Sequence, residues 1–396
     1  MTTALRAEPL TRWRPHAAVL AFGAFAVGTD GFVIAGLLPS IAASLHVSVA
    51  AAGQLVTVFS IAYAVLAPVL AALTASWSRR AVLVTALAVF AAGNAITALA
   101  PGYGMVLLSR ALAAAGAALF TATANATAAA LAGERERGRA IAIVMLGVTS
   151  SLVLGAPLGT VIGGLLDWRA TMWLVTGLGL LAVPAIALRL PATQANGDGD
   201  GTGDLRAFLA PLRDRRIIIL LATTVVAFTG IYMPYTYVSE IFAPAAPAAS
   251  GGSALAVLLL VYGLSGTAGN LTAGQLADRY GPRRVIVAVT LVLTAAFALT
   301  PLGRHTLPAA VATIVVVGFL SFSVTTPQQH LVITLAGPGA GMVTSLYQSA
   351  LYLAVSLSGG LGALALEGGA ARLPYLAAAL TLAAAALTFA GGRARR

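Results

Sequence analysis

Long apolar stretches with hardly a charged position alternate with short polar segments along the whole chain. They run at roughly 16–39, 50–73, 81–100, 104–131, 139–165 and 170–190, then at 216–240, 253–276, 284–302, 307–327, 340–364 and 373–391. A helix rises 1.5 Å per residue and ~30 Å of hydrocarbon takes about 20 residues, so each stretch is long enough to cross a bilayer. A helix also satisfies its own backbone in lipid, whereas a barrel strand would alternate apolar and polar residues, a pattern absent here. The pattern predicts an all-α membrane protein of twelve spans.

Composition narrows the class. Of 396 residues 59% are apolar and 9% charged, against ~25% charged in a soluble domain. Twelve spans with their loops consume the chain and leave no room for a soluble catalytic domain. The absence of Cys removes disulfides, thiol redox chemistry and thiolate metal sites. His16, His46, His305 and His330 are too scattered for metal-ligand spacing. Neither metal nor cofactor is expected, nor an enzyme.

A net charge of +11 would suggest nucleic acid as partner of a soluble protein. Its placement gives it another meaning. All 23 basic residues are Arg; with the amino terminus in the cytoplasm, 19 fall on that side, Arg169, Arg304 and Arg372 on the other, and Arg110 within a span. That is the positive-inside bias, which puts both termini in the cytoplasm and excludes a nucleic-acid role. Residues 1–30 could pass for a signal peptide, but eleven further spans and an Asp inside the first make that segment an anchor.

The longest polar stretch, 191–215, separates a bundle at 16–190 from one at 216–391, with tails at 1–15 and 392–396. Asp198, Asp200 and Asp204 invite a calcium reading, but Leu209 stands where a loop-closing Glu is needed, so a flexible linker is expected. The loop after span eight, Gly274-Gln-Leu-Ala-Asp278-Arg279-Tyr-Gly-Pro-Arg283-Arg284, matches the loop after span two, Ala71 to Arg80, at an offset of 203. Two halves with one repeated loop imply duplication, a transporter architecture with the substrate site between the halves.

The loop Gly-x-Leu-Ala-Asp-Arg-x-Gly-x-Arg-Arg resembles the signature loop of the major facilitator superfamily. Span five carries Gly147, Gly155-Ala-Pro157-Leu-Gly159 and Gly163, similar to that superfamily's antiporter motif. Gly28 to Pro39, Glu134 to Arg139 and Asp167-Trp168-Arg169 resemble bacterial twelve-span drug exporters grouped with arabinose and chloramphenicol efflux proteins. The resemblance implies two pseudo-symmetric six-helix bundles, alternating access and drug:proton antiport in a bacterial inner membrane. The first-half loop departs from the pattern, with Ala75 for Asp and Ser78 for Gly, and Ala113 and Ala114 replace the Gln and Gly that often follow the Arg of span four.

Of the 12 acidic residues Asp30 alone lies well inside a span, ~13 Å from its outer end, and Arg110 lies ~10 Å from the outer end of span four. A lone carboxylate at that depth is costly to ionise, which suits a group that binds and releases a proton. Asp30 and Arg110 are the expected proton-coupling pair and also line the expected substrate site. A static ion pair, or a cation-binding Asp30 without proton transport, are the alternatives. Gly155, Gly159 and Gly163 recur on one helical face and, with Pro157, suit a close, bent interface between moving halves. Tyr232, Tyr235 and Tyr237, Phe319 and Phe322, and Tyr347 and Tyr352 offer aromatic faces for a flat lipophilic ligand. Asn270, Gln328 and Gln329 suit helix-to-helix hydrogen bonding. Asp278, Arg279, Arg283 and Arg284 are expected to gate the cytoplasmic mouth.

The reading is a monomeric, proton-driven exporter of small lipophilic compounds. A sugar or nucleoside exporter would want more Asn, Gln, Asp and Glu in its cavity; a non-transporting receptor is the remote alternative.

Overall fold

The computed structural model describes residues 13–191, 210–247, 250, 252–336 and 340–393. The predicted linker between the halves lies mostly outside these residues, its Asp cluster wholly so, as do most of both tails.

The described chain is almost entirely helical and holds 11 helices long and apolar enough to cross a membrane. One of them, Tyr103–Leu165, has 63 residues. At ~95 Å it is about three hydrocarbon thicknesses long and supplies both spans four and five. The break falls at Gly133, whose φ of +68° and ψ of 175° interrupt the helix as only a glycine does without strain. Residues 134–139, expected as a loop, are instead helical: Glu134-Arg-Glu-Arg favours a helix and Arg139 pairs with Glu136 at 3.0 Å, one turn away.

The other spans follow the pattern with shifted ends. Span one is Trp13–Leu45, longer at both ends than the 16–39 expected, and Pro39 lies inside the helix. Spans two, three and six are Val49–Leu73, Arg79–Leu99 and Trp168–Arg189. Span seven, Arg215–Thr236, gives way to a single turn, Val238–Ile241; spans eight and nine are Ser253–Tyr280 and Pro282–Gly303. Span ten is broken into Leu307–Phe322 and Thr325–Ala336, while eleven and twelve are Ala340–Leu366 and Arg372–Arg393. Short polar residues begin several helices: Ser48, Ser78, Asp167 and Asp214 each accept a backbone N–H of the first turn.

Across the halves span two packs on span eleven and span five on span eight. On the predicted outer side one apolar core joins both halves, from Leu37, Leu38 and Leu55 to Met233, Tyr237 and Leu258. On the inner side each half has its own core, around Leu20, Leu83 and Phe120 in the first and Ile217, Val332 and Val343 in the second. The molecule is therefore closed at the predicted outer end. Among the described residues, Tyr352 is the one member of the second half that packs on the inner core of the first.

Candidate functional site

Asp30 and Arg110 meet. Arg110 Nη1 donates to Asp30 Oδ1 at 2.5 Å, and the two side chains are 0% and 1% exposed. Arg110 Nη1 also reaches Asn94 Oδ1 at 3.5 Å, and Asn94 is anchored by its own donation to the Phe90 carbonyl at 3.1 Å. Span three thus supplies a polar neighbour that Ala113 and Ala114 do not. The Arg110 guanidinium lies 4.4 Å from the centre of the Phe59 ring on span two, a cation–π contact. Asp30 Oδ2 and Arg110 Nε are buried without a hydrogen-bond partner. The pair is neutral as an ion pair, and one carboxylate oxygen is left over.

The glycines of span five bring it against span one. A Cβ on Gly147 would meet the Ala21 carbonyl, on Gly155 the Thr29 side chain, on Gly163 the Leu37 methyl, and on Gly159 Val33 Cγ2 at 2.5 Å. Span one returns the fit, since Gly28 faces Ser151 and Gly36 faces Thr160. The expectation that this face forms the interface between the halves is corrected: its partner is in the same half. The opposite half meets span five elsewhere, where Gly263 lies over Leu152 and Val153. Pro157 is accommodated by a π turn at Ser151–Gly155, which Ala156 N closes onto the Ser151 carbonyl five residues back.

The predicted aromatic set does not form one site. Tyr232, Tyr235 and Phe322 line a small cavity between the halves, with free space of only about 10 Å³, completed by Phe32, Leu152, Phe228, Ile231, Tyr262, Ser321 and Thr325. No charged or amide side chain lines it. Tyr235 crosses the gap by donating to the Phe32 carbonyl at 3.0 Å, with the two rings edge to face at 6.0 Å. Phe319 lies outside the cavity lining, beside Gly269. Tyr347 is buried instead in the inner core of the second half, and Tyr352 stacks on Tyr63 at 3.6 Å. Asp30 and Arg110 are likewise not among the lining residues. Phe228 was missed, although its place one turn before Tyr232 is a signal that points to it; Phe32, Tyr262, Ser321 and Thr325 carry no local signal that sets them apart.

Among the remaining candidates, Tyr237 is buried and donates to the Gly359 carbonyl at 2.7 Å. Gln328 accepts from Thr224 at 3.1 Å and Asn270 from Thr326 at 2.7 Å, helix-to-helix bonds as expected. Gln329 is exposed and makes no such bond in the core. Glu240, on the turn after span seven, is half-buried, which pushes its carboxyl up from the ordinary value.

The repeated loop differs between the halves in backbone. Gly281 has φ +85°, a left-handed position that favours glycine, whereas its counterpart Ser78 has φ −62° and caps span three by accepting from Ala81 N. Asp278, Arg279 and Arg284 are exposed. Arg283 is half-buried and donates to the Thr388 and Phe389 carbonyls.

The Major Facilitator Superfamily model matches residues 20–358. The chain is 34% identical to the "Uncharacterized MFS-type transporter YbcL" of Bacillus subtilis over 88% of each chain. It is 33% identical to the "Chloramphenicol resistance protein" of Streptomyces lividans, over 91% of this chain and 87% of that one. Among solved structures the nucleoside transporter NupG superposes with a TM-score of 0.75 at 14% identity, covering 96% of this chain and 98% of that one. A bacterial homologue of the lysosomal transporter Spinster, in an inward-facing and unoccupied conformation, gives 0.72 at 17%, covering 98% of each. Family match, relatives and fold agree with the two pseudo-symmetric bundles described above, and this chain belongs to the Major Facilitator Superfamily as a multi-pass membrane transporter.

Proposed function

We propose that this transporter expels small, lipophilic compounds in exchange for protons. The observation that carries the reading is the buried pair: one carboxylate and one guanidinium at 2.5 Å, with Asp30 Oδ2 left unpartnered. Arg110 keeps its charge throughout. With Asp30 ionised the pair is neutral; with Asp30 protonated Arg110 stands without an anion in a medium where an unpaired charge is costly. A proton arriving from outside therefore favours release of the compound or a change of facing, and its loss to the cytoplasm resets the pair. No bond of the compound is broken, so the protein works as a carrier and not as an enzyme.

The cavity supports the ligand class. Three Tyr and three Phe surround it, with Ser321 and Thr325 as hydroxyl handles and no amide or carboxylate. That surface suits a flat lipophilic compound better than a sugar or nucleoside, whose many hydroxyls need amide and acid partners. The 33% identity to a chloramphenicol resistance protein points the same way. The excess of Arg on one side supports both termini in the cytoplasm of a bacterium, with the chain in its inner membrane and bundles at 16–190 and 216–391.

The test is transport in proteoliposomes under an imposed pH gradient, with wild type and Asp30→Asn compared on a panel of lipophilic antibiotics. Proton-driven uptake that depends on Asp30 supports the reading; coupled exchange unchanged by the substitution removes this carboxylate as carrier.

A further inference from the structure

The pair at Asp30 is joined to the opposing half by an unbroken series of aromatic contacts. Arg110 lies 4.4 Å from the Phe59 ring centre. Phe59 neighbours Tyr63, one turn on, with ring centres 6.3 Å apart. Tyr63 stacks on Tyr352 of span eleven at 3.6 Å and 16° between planes. Phe59 and Tyr63 are each only 7% exposed, so the series runs through packed protein. Both tyrosines lie about 14 residues, or ~21 Å, from the outer ends of their helices. Outward of their stack Thr57 donates to the Ser356 carbonyl at 3.2 Å, and inward of it the apolar cores of the two halves are separate.

We infer that Phe59 and Tyr63 are positioning residues through which the charge state of Asp30 sets how span two meets Tyr352, and hence which way the transporter faces. This rests on the proton-exchange reading above. A guanidinium that loses its carboxylate partner keeps two compensations within reach, Asn94 Oδ1 at 3.5 Å and the face of Phe59, and cation–π attraction strengthens as a site is desolvated. Drawing Arg110 and Phe59 together tilts the turn of span two that carries Tyr63. A ring stack depends on how the two faces are placed, so the tilt weakens this tie between the halves. Among the described titratable groups on the elements packed against span one, span two offers Tyr63, span four Tyr103 and Arg110, span seven Tyr232 and Tyr235, the turn after it Glu240, and span eight Tyr262; the remaining charged groups stand at or beyond the ends of their spans.

The experiment uses the full chain in nanodiscs, with spin labels on cysteines introduced at the predicted inner ends of spans two and eleven. The sequence has no Cys of its own to interfere. In wild type the ratio of the two separations should change between acidic and alkaline pH by more than about fivefold, the low end of ordinary coupling. Asp30→Asn should hold one ratio at every pH. Tyr352→Leu, at a half-buried position where folding is least at risk, should reduce the pH response to less than about twofold, and Tyr352→Phe, which keeps the ring, should restore it. Phe59→Leu should behave as Tyr352→Leu does. A full pH response in both Leu variants overturns the aromatic coupling alone. The absence of any response in wild type overturns the proton-exchange reading and this inference with it.

Discussion

Arg80 and Arg283 stand 203 positions apart and perform the same task in the two halves. Arg80 Nη1 donates to the Ala187 carbonyl at 3.4 Å, at the end of span six, and Arg283 donates to the Thr388 and Phe389 carbonyls at the end of span twelve. Each places a cation on the negative end of its half's last helix. The duplicated loop has lost its Asp and its Gly in the first half, yet the arginine that ties the last span to the third has kept its role.

Replacing Arg283 by Ala should therefore loosen the end of span twelve, at a cost of roughly 0.3–1 kcal/mol for a charge at a helix terminus. Arg80→Ala should cost the same or less, its single bond being longer. Thermal unfolding in detergent measures both, and equal stability of all three proteins would remove the capping role.

Breaking the buried pair on one side should be far more damaging. Arg110→Ala leaves Asp30 without its cation, and such changes cost about 3–5 kcal/mol. The double change Asp30→Asn with Arg110→Gln, which leaves no charge behind, should recover most of that stability while remaining inactive in proton-coupled transport. Stability by denaturant titration and transport by proton-driven uptake separate the two effects.

Gly159→Leu forces a side chain into Val33 Cγ2 and Thr171 Cγ2, which a Cβ alone would approach to 2.5 and 2.8 Å. Overpacking of this kind costs about 1–3 kcal/mol. The protein should still insert in the membrane, and transport should be lost; transport at the wild-type rate would show that spans one and five do not need this approach.

Tyr235→Phe removes one hydrogen bond between the halves, to the Phe32 carbonyl, and keeps the ring in the cavity. A loss of about 0.5–1.5 kcal/mol in the outward-closed state is expected. Single-cysteine labelling near Phe32 should become faster. The affinity for a lipophilic ligand should change little, because the ring supplies most of the contact.

At the outer rim, burial raises the Glu240 carboxyl. The folded protein then holds this proton more tightly than the unfolded chain, so the group's contribution is fully present at low pH and fades as pH rises through the raised value. Glu240→Gln should flatten that dependence, read as melting temperature against pH, by a small amount because the group is still part-exposed.

The spans and the pairing of Asp30 with Arg110 were legible because each rests on a strong local signal: length of apolar run in one case, the two charges left at matching depth in the other. The cavity was not, since Phe32, Tyr262 and Ser321 look like any other residue of an apolar helix until the halves are folded together. Tyr347 and Tyr352 sit five residues apart on the same span, yet one is buried in the second half's own core and the other reaches the first half. Helical spacing specifies a face, and which neighbour that face meets is decided by packing. The partner of the span five glycines escaped for the same reason: small residues announce that a backbone comes close without saying whose.

Span one is gripped twice by a single run of chain. Tyr103–Leu165 reaches it first through Arg110, which holds Asp30, and again beyond Gly133 through the glycine face that leaves no room for a side chain. The first grip is electrical and the second steric, so only the first can respond to a change of charge. Under the proton-exchange proposal, span one is a lever with a fixed bearing on span five and a releasable latch on span four, and a proton that opens the latch leaves rotation about that bearing as its freest movement.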